Sequence, residues 1–121
     1  MKKQNPFPGV RAGNRLPTAV LHILIALAGR DRHGYSIMQD VAARTEGKVQ
    51  LSAGTLYSSI RRMLEQGLIE ELAESPDPLS SDERRRYYRL TRFGKRAAAA
   101  EVERLNALVR QAHATGLVPG G

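Results

Sequence analysis

Short hydroxyls and arginines recur at helical spacing in the middle of the chain: Ser52, Thr55, Ser58 and Ser59, then Arg61 and Arg62. A hydroxyl can hydrogen-bond a phosphate oxygen or a base edge, and a guanidinium can grip a phosphate or a guanine. The chemistry of such a face is recognition of a nucleic acid. The opposite side of the same stretch carries Leu56, Ile60, Met63 and Leu64, spaced i, i+4, i+7 and i+8, which is one face of a helix fixed to a core. Ser52 is placed to cap it, and Gly67 to end it in a left-handed conformation before Leu68-Ile69 start something extended. An amphipathic helix with a merely solvated polar face would show the same spacing, so the rest of the chain has to decide.

At 121 residues, with 19 lysines and arginines against 12 acids and a formal charge of +7, the chain reads as one small basic domain. The charge suits a polyanion, though an anionic membrane surface would also attract it. There is no cysteine, which excludes disulfides and thiolate metal sites and fits a cytoplasmic protein. The longest apolar run, Ala19 to Ala28, is interrupted by His22 and is too short to span a bilayer. No secretory signal is expected.

Residues 1–16, with two prolines, two glycines and four basic residues, read as a flexible basic arm. Leu16-Pro17-Thr18 opens a first helix, apolar nearly all round and closed by Gly29. Arg30-Asp31-Arg32 is expected to be a short charged connection. Gly34 to Glu46 forms a second helix, and the hydroxyl-bearing helix is the third. Gly67 to Glu74 then reads as a strand, 75–82 as a turn-rich loop with two prolines, and Glu83 to Leu90 as a returning strand alternating Tyr88 and Leu90 against Tyr87 and Arg89. Thr91 caps a last helix, where Ala98, Val102, Leu105, Val109 and Ala112, broadened by Leu108, follow a coiled-coil spacing of a little over two heptads. Residues 116–121 read as a flexible tail.

Three helices followed at once by a hairpin is the order of a winged helix-turn-helix, mainly α with a small β-hairpin. Residues 17–91 would form that domain and 92–115 a dimerisation helix. In this arrangement the helix at 52–67 enters the major groove and the wing at 75–86 reaches the backbone. Arg84, Arg85, Arg86, Arg89, Arg92, Lys95 and Arg96 crowd the returning strand and the next helix start. Basic residues also protect exposed strand edges from aggregation, but beside Arg61, Arg62 and the +7 total, phosphate contact explains them better.

The motifs His33-Gly34-Tyr35, Gly54-Thr55-Leu56-Tyr57, Leu64-Glu65-Gln66-Gly67-Leu68-Ile69 and Arg86-Tyr87-Tyr88-Arg89-Leu90-Thr91 with Gly94 resemble those of the PadR family of bacterial transcriptional regulators, in its short-tailed branch. The resemblance covers about residues 18–95. It implies a homodimer that represses transcription at a palindromic double-stranded operator and often answers to a small-molecule effector. It also implies that Ser52, Thr55, Tyr57 and Ser58 face DNA, that Tyr35 touches phosphate, and that Arg84, Arg85 and Arg86 belong to the wing. Tyr57 could instead belong to the core, since it neighbours Leu56. Arg61 and Arg62, farther along the helix, are expected to hold phosphates. Two departures stand out: Ser58 occupies a position where the family usually has proline, and the last helix has none of the aromatics that drug-binding members use at the dimer interface.

Catalysis finds little support. His22, His33 and His113 lie far apart and in no metal-ligand spacing, and His22 is expected to be a hydrogen-bonded core residue. No phosphate-cradling glycine loop follows a strand, and Glu65, Glu70, Glu71 and Glu74 read as solvated faces. No enzyme activity, cofactor, metal or membrane partner is expected. The rival to a DNA-binding regulator is a winged helix that docks protein or RNA without reading an operator. RNA recognition would call for exposed stacking aromatics, which are few here.

Overall fold

The computed structural model describes residues 16–73 and 86–119. In order they form α1 (Thr18–Gly29), β1 (Arg32–His33), α2 (Gly34–Arg44), α3 (Ala53–Glu65), β2 (Ile69–Glu71), β3 (Tyr87–Leu90) and α4 (Arg92–Ala114). Of the arm expected over residues 1–16, residues 1–15 lie outside the described residues, as do the wing loop expected over 75–82 and Glu83, Arg84 and Arg85, whereas Leu16 is buried in the core and belongs to the folded domain.

Helix α1 is apolar on most sides because it sits at the centre: Val20, Ile23, Leu24, Ala26 and Leu27 are all buried. Ile37 and Val41 of α2, Leu56, Ile60 and Met63 of α3, Leu68 and Ile69 leading into and starting β2, and Tyr88 of β3 complete the core. The stripe expected on the third helix is therefore the face that α3 buries, with Leu64 at its half-buried margin. Burial of such side chains is worth roughly 1.5–3 kcal/mol each, enough to fix which side of α3 faces out.

The sheet has one more strand than the expected hairpin. Its order is β1-β3-β2, with both pairings antiparallel. Arg32 and His33 pair with Tyr88 and Tyr87, while Ile69, Glu70 and Glu71 pair with Leu90, Arg89 and Tyr88. Two residues cannot display a period of two, so β1 was hidden within a stretch that read as a connection. Arg32 earns its place there by bridging helices. Its guanidinium donates to the Ala26 carbonyl at 2.9 Å, to Ser36 Oγ at 3.0 Å and to Asp40 at 3.1 Å, tying the end of α1 to α2.

A tight corner joins α3, β2 and α4. Gly67 adopts φ +78°, and Leu68 N–H donates back to the Met63 carbonyl at 3.0 Å, closing α3 as expected. Thr91 Oγ1 accepts the Gly94 N–H at 2.9 Å and lies 2.7 Å from the Gly67 carbonyl oxygen, to which it can donate. The cap of α4 is thus bonded to the end of α3. Gly94 is required by this closeness: any Cβ there would run into the Leu68 carbonyl oxygen, which is backbone and cannot step aside. Beyond this corner Phe93, Ala97 and Ala98 still pack on the core. Farther out α4 carries Val102, Leu108 and Val109 exposed on the described chain, and Gly116 at φ +78° closes it.

Candidate nucleic-acid interface

Helix α3 presents the expected hydroxyls and arginines outward. Ser52 is its N-cap: the Oγ accepts the Thr55 N–H at 3.1 Å and sits 3.1 Å from Thr55 Oγ1. Ser58 Oγ donates to the Thr55 carbonyl at 3.2 Å. These local bonds hold the three hydroxyls in place while Ser52, Thr55 and Ser58 all remain exposed, and each oxygen keeps acceptor capacity for a further partner. Arg61 and Arg62 follow one turn on, exposed and in no ion pair among the described residues. With the buried stripe facing the core, Thr55, Ser58, Arg61 and Arg62 share the outward face.

Tyr57 is neither core nor free. Its residue is 48% exposed, yet its phenol end rests against the start of α2, where a Cβ added to Gly34 would stand 2.5 Å from the Tyr57 hydroxyl. Gly34 is therefore small because Tyr57 lies over it. The neighbouring Tyr35 is exposed at 54%, so two tyrosines border the α2–α3 junction. His33 caps α2 with its ring: Nδ1 accepts the Ser36 N–H at 3.1 Å. The same ring meets Tyr87 edge to face, at 5.2 Å between centroids. The sequence motif containing these residues was visible, but histidine is not among the usual capping residues, so its part in positioning α2 was not.

The arginines of the sheet are differently placed. Arg89 pairs with Asp31 at 3.0 Å, a bond that pushes its guanidinium still further above the ordinary arginine range. Arg86, more exposed, has Glu71 at 3.4 Å across the β2–β3 ladder. In the first turns of α4, Arg92, Lys95 and Arg96 are exposed without an ion pair among the described residues. In the middle strand Tyr88 is buried, and desolvation together with the nearby Glu71 carboxylate and Tyr57 raises the pKa of its phenol.

Of the residues expected at a subunit seam, Val102, Leu108 and Val109 are exposed, whereas Ala98, Leu105 and Ala112 are half-buried and Ala98 packs on the core. Within this helix Glu101 is buried and takes a 2.7 Å ion pair from Arg104. One expectation fails: His22 is not a hydrogen-bonded core histidine, because its Nδ1 is buried with no partner. The apolar packing that makes α1 central brings no donor or acceptor to that atom. Among the described residues no helix is long and apolar enough to cross a membrane, and no group of acids and histidines gathers as a metal site would.

Comparison with known proteins places this geometry. The model of the transcriptional regulator PadR-like family matches residues 20–100. A curated, uncharacterised protein of Lysinibacillus sphaericus is 34% identical over 73 residues, a match spanning 60% of this chain and 64% of that protein. A PadR family transcription regulator from Clostridium difficile is similar in structure, with 27% identity, a TM-score of 0.63, and coverage of 84% of this chain and all (100%) of the other. A transcriptional regulator from Clostridium thermocellum gives 25% identity and a TM-score of 0.65 over 75% of this chain and 85% of its own. The family match runs from within α1 into α4, and the chain belongs to the PadR-like family of transcriptional regulators.

Proposed function

We propose that this regulator binds double-stranded DNA sequence-specifically as a homodimer, with α3 in the major groove, and represses transcription from a palindromic operator in the cytoplasm. The observation that carries the reading is the division of α3: Leu56, Ile60 and Met63 are sealed in the core while Thr55, Ser58, Arg61 and Arg62 stand together outside. A helix anchored this way presents its first turns to a groove, where hydroxyls meet base edges and the arginines beyond them meet phosphates. Tyr35 and Tyr57 would border the contact, with Arg84, Arg85 and Arg86 at the wing. The outer half of α4, with Val102, Leu108 and Val109 exposed, supports the second subunit. Residues 17–91 are then the DNA-binding unit and 92–115 the dimerisation helix.

Selection of bound fragments from a random duplex library tests the reading. Enrichment of one inverted-repeat sequence is the expected result. Recovery of unenriched DNA would leave only a charge-driven binder, and failure to retain DNA at all would favour a protein-docking winged helix.

A further inference from the structure

We infer that Tyr57 is a positioning residue for DNA reading: its ring, seated on Gly34, sets how the start of α2 stands against α3, and a glycine is needed beneath it. The inference rests on the DNA-binding reading above and names what keeps that site in register.

Tyr57 stands between the two faces of α3. It follows Leu56, which is fully buried, and precedes Ser58, which is exposed. Its phenol end lies over the first residue of α2. A Cβ at Gly34 would stand 2.5 Å from the hydroxyl oxygen, 2.9 Å from Cζ and 3.0 Å from Cε1. The ring edge makes this contact as well as the hydroxyl, so the fit is one of shape. The same phenol is a neighbour of Tyr88 in the middle strand: after desolvation and Glu71, it is the next influence that raises the Tyr88 pKa. Tyr57 therefore reaches from the recognition helix to the start of α2, beside the sheet.

The backbone at Gly34 does not call for glycine. Among the described residues the glycines with positive φ are Gly47, Gly67 and Gly116, and alanine is the better helix former. What excludes a side chain is the ring above it. Helix propensity is given up here for a close approach.

That approach fixes the spacing of two helices that a duplex meets together. When a helix-turn-helix docks, its second helix enters the major groove while the first crosses the backbone. Tyr35, next to Gly34, is exposed at the start of α2, and Ser58, next to Tyr57, is exposed on α3. The Tyr57–Gly34 contact thus adjoins one candidate phosphate contact and one candidate base contact. A shift there moves the two relative to each other, and hydrogen bonds weaken steeply with misalignment.

The test compares the full-length protein with Tyr57→Phe, Tyr57→Ala, Gly34→Ala and the double variant Gly34→Ala with Tyr57→Ala, on the library-selected operator and on a scrambled duplex. Each is assayed below its measured unfolding transition, so that lost binding is not lost fold. Tyr57→Phe keeps the ring edge and should bind the operator as the wild type does. Tyr57→Ala and Gly34→Ala should each weaken operator binding about ten-fold, the order expected for one misplaced base contact, and change scrambled-duplex binding much less. In the double variant the added methyl has no ring to displace, so its loss should not exceed that of Tyr57→Ala alone. Such non-additivity marks two residues acting through one contact. If Tyr57→Ala fails to fold, the contrast between Gly34→Ala and Tyr57→Phe still decides. A Tyr57→Phe loss as large as that of Gly34→Ala would make the hydroxyl a direct DNA contact and overturn the inference. Operator binding unchanged in Gly34→Ala, or losses that simply add in the double variant, overturn it as well. Absence of operator binding by the wild type contradicts the DNA-binding reading itself, and this inference with it.

Discussion

Helix α3 and the stretch entering and forming β3 both set arginines on the surface, but among the described residues only those of α3 lack an acidic partner. Arg61 and Arg62 have no acidic partner among the described residues, whereas Arg89 is held by Asp31 and Arg86 approaches Glu71. A charge already neutralised inside the protein must give up that partner before it can neutralise a phosphate, so its net gain from DNA is smaller. The two regions look alike in composition and differ in what they have to offer. Counting basic residues overstates the sheet and understates the helix.

The comparison depends on the two regions holding a fixed relation, and the largest effect should come from breaking the joint between them. Gly94→Ala forces a methyl group against the Leu68 carbonyl at the corner of α3, β2 and α4. Thermal or denaturant unfolding should show a loss of about 1–3 kcal/mol or more, the range for a misfit in a packed interior. Gly34→Ala is the contrasting control, since it meets only the movable end of Tyr57. It should cost clearly less and leave the Tyr57 ring displaced. Equal losses would show that the α4 corner is no stiffer than the α2 contact.

Next in size is the loss of the proposed second subunit. Val102→Glu combined with Leu105→Glu puts charge into the outer half of α4 and should give a monomer by light scattering, with each DNA contact made once instead of twice. A double variant that stays dimeric would move the interface elsewhere.

A smaller effect separates the two sets of arginines directly. Each cation that neutralises a phosphate adds roughly −0.9 to the slope of log K against log salt. Arg61→Ala with Arg62→Ala should flatten the slope measurably, and Arg89→Ala should leave it nearly unchanged. Removing Arg84, Arg85 and Arg86 together should also flatten it, whatever the sequence of the DNA. A change for Arg89→Ala as large as for the helix pair would mean that Asp31 yields its partner readily.

The smallest effect is alkaline. Burial and Glu71 raise the pKa of Tyr88, so the folded state favours the neutral phenol. That contribution is fully present below the ordinary tyrosine value of about 10 and is lost as pH rises through the folded value. Stability should therefore fall above about pH 10, and Tyr88→Phe should soften the decline relative to wild type. An identical alkaline limb in the variant would contradict the assignment.

Much of this molecule was legible before its structure. The four helices, the Ser52 and Thr91 caps, the Gly67 stop and the buried face of α3 follow from periodicity and end signals that are local in the chain. What was not legible is non-local. Strand β1 is too short to show a pattern and exists because Arg32 and His33 find Tyr88 and Tyr87 far along the sequence. The Asp31–Arg89 pair, the fit of Tyr57 over Gly34 and the clash that demands Gly94 likewise join residues that the sequence separates. His22 shows the limit most plainly: an apolar helix predicts burial of the ring, but not that Nδ1 would go without a partner. The outward residues of the candidate site were readable, while the supports that aim them were not.

The central claim is that the first turns of α3 read bases while the arginines beyond them only hold the backbone. Affinities of Thr55→Ala with Ser58→Ala, and separately of Arg61→Ala, should be measured on the selected operator and on a scrambled duplex. The hydroxyl pair should cost about 1–3 kcal/mol on the operator, the range for base discrimination, and almost nothing on scrambled DNA. Arg61→Ala should weaken both duplexes alike. Equal losses on both duplexes for the hydroxyl pair and for the arginine would contradict the claim, because α3 would then be gripping DNA without reading it.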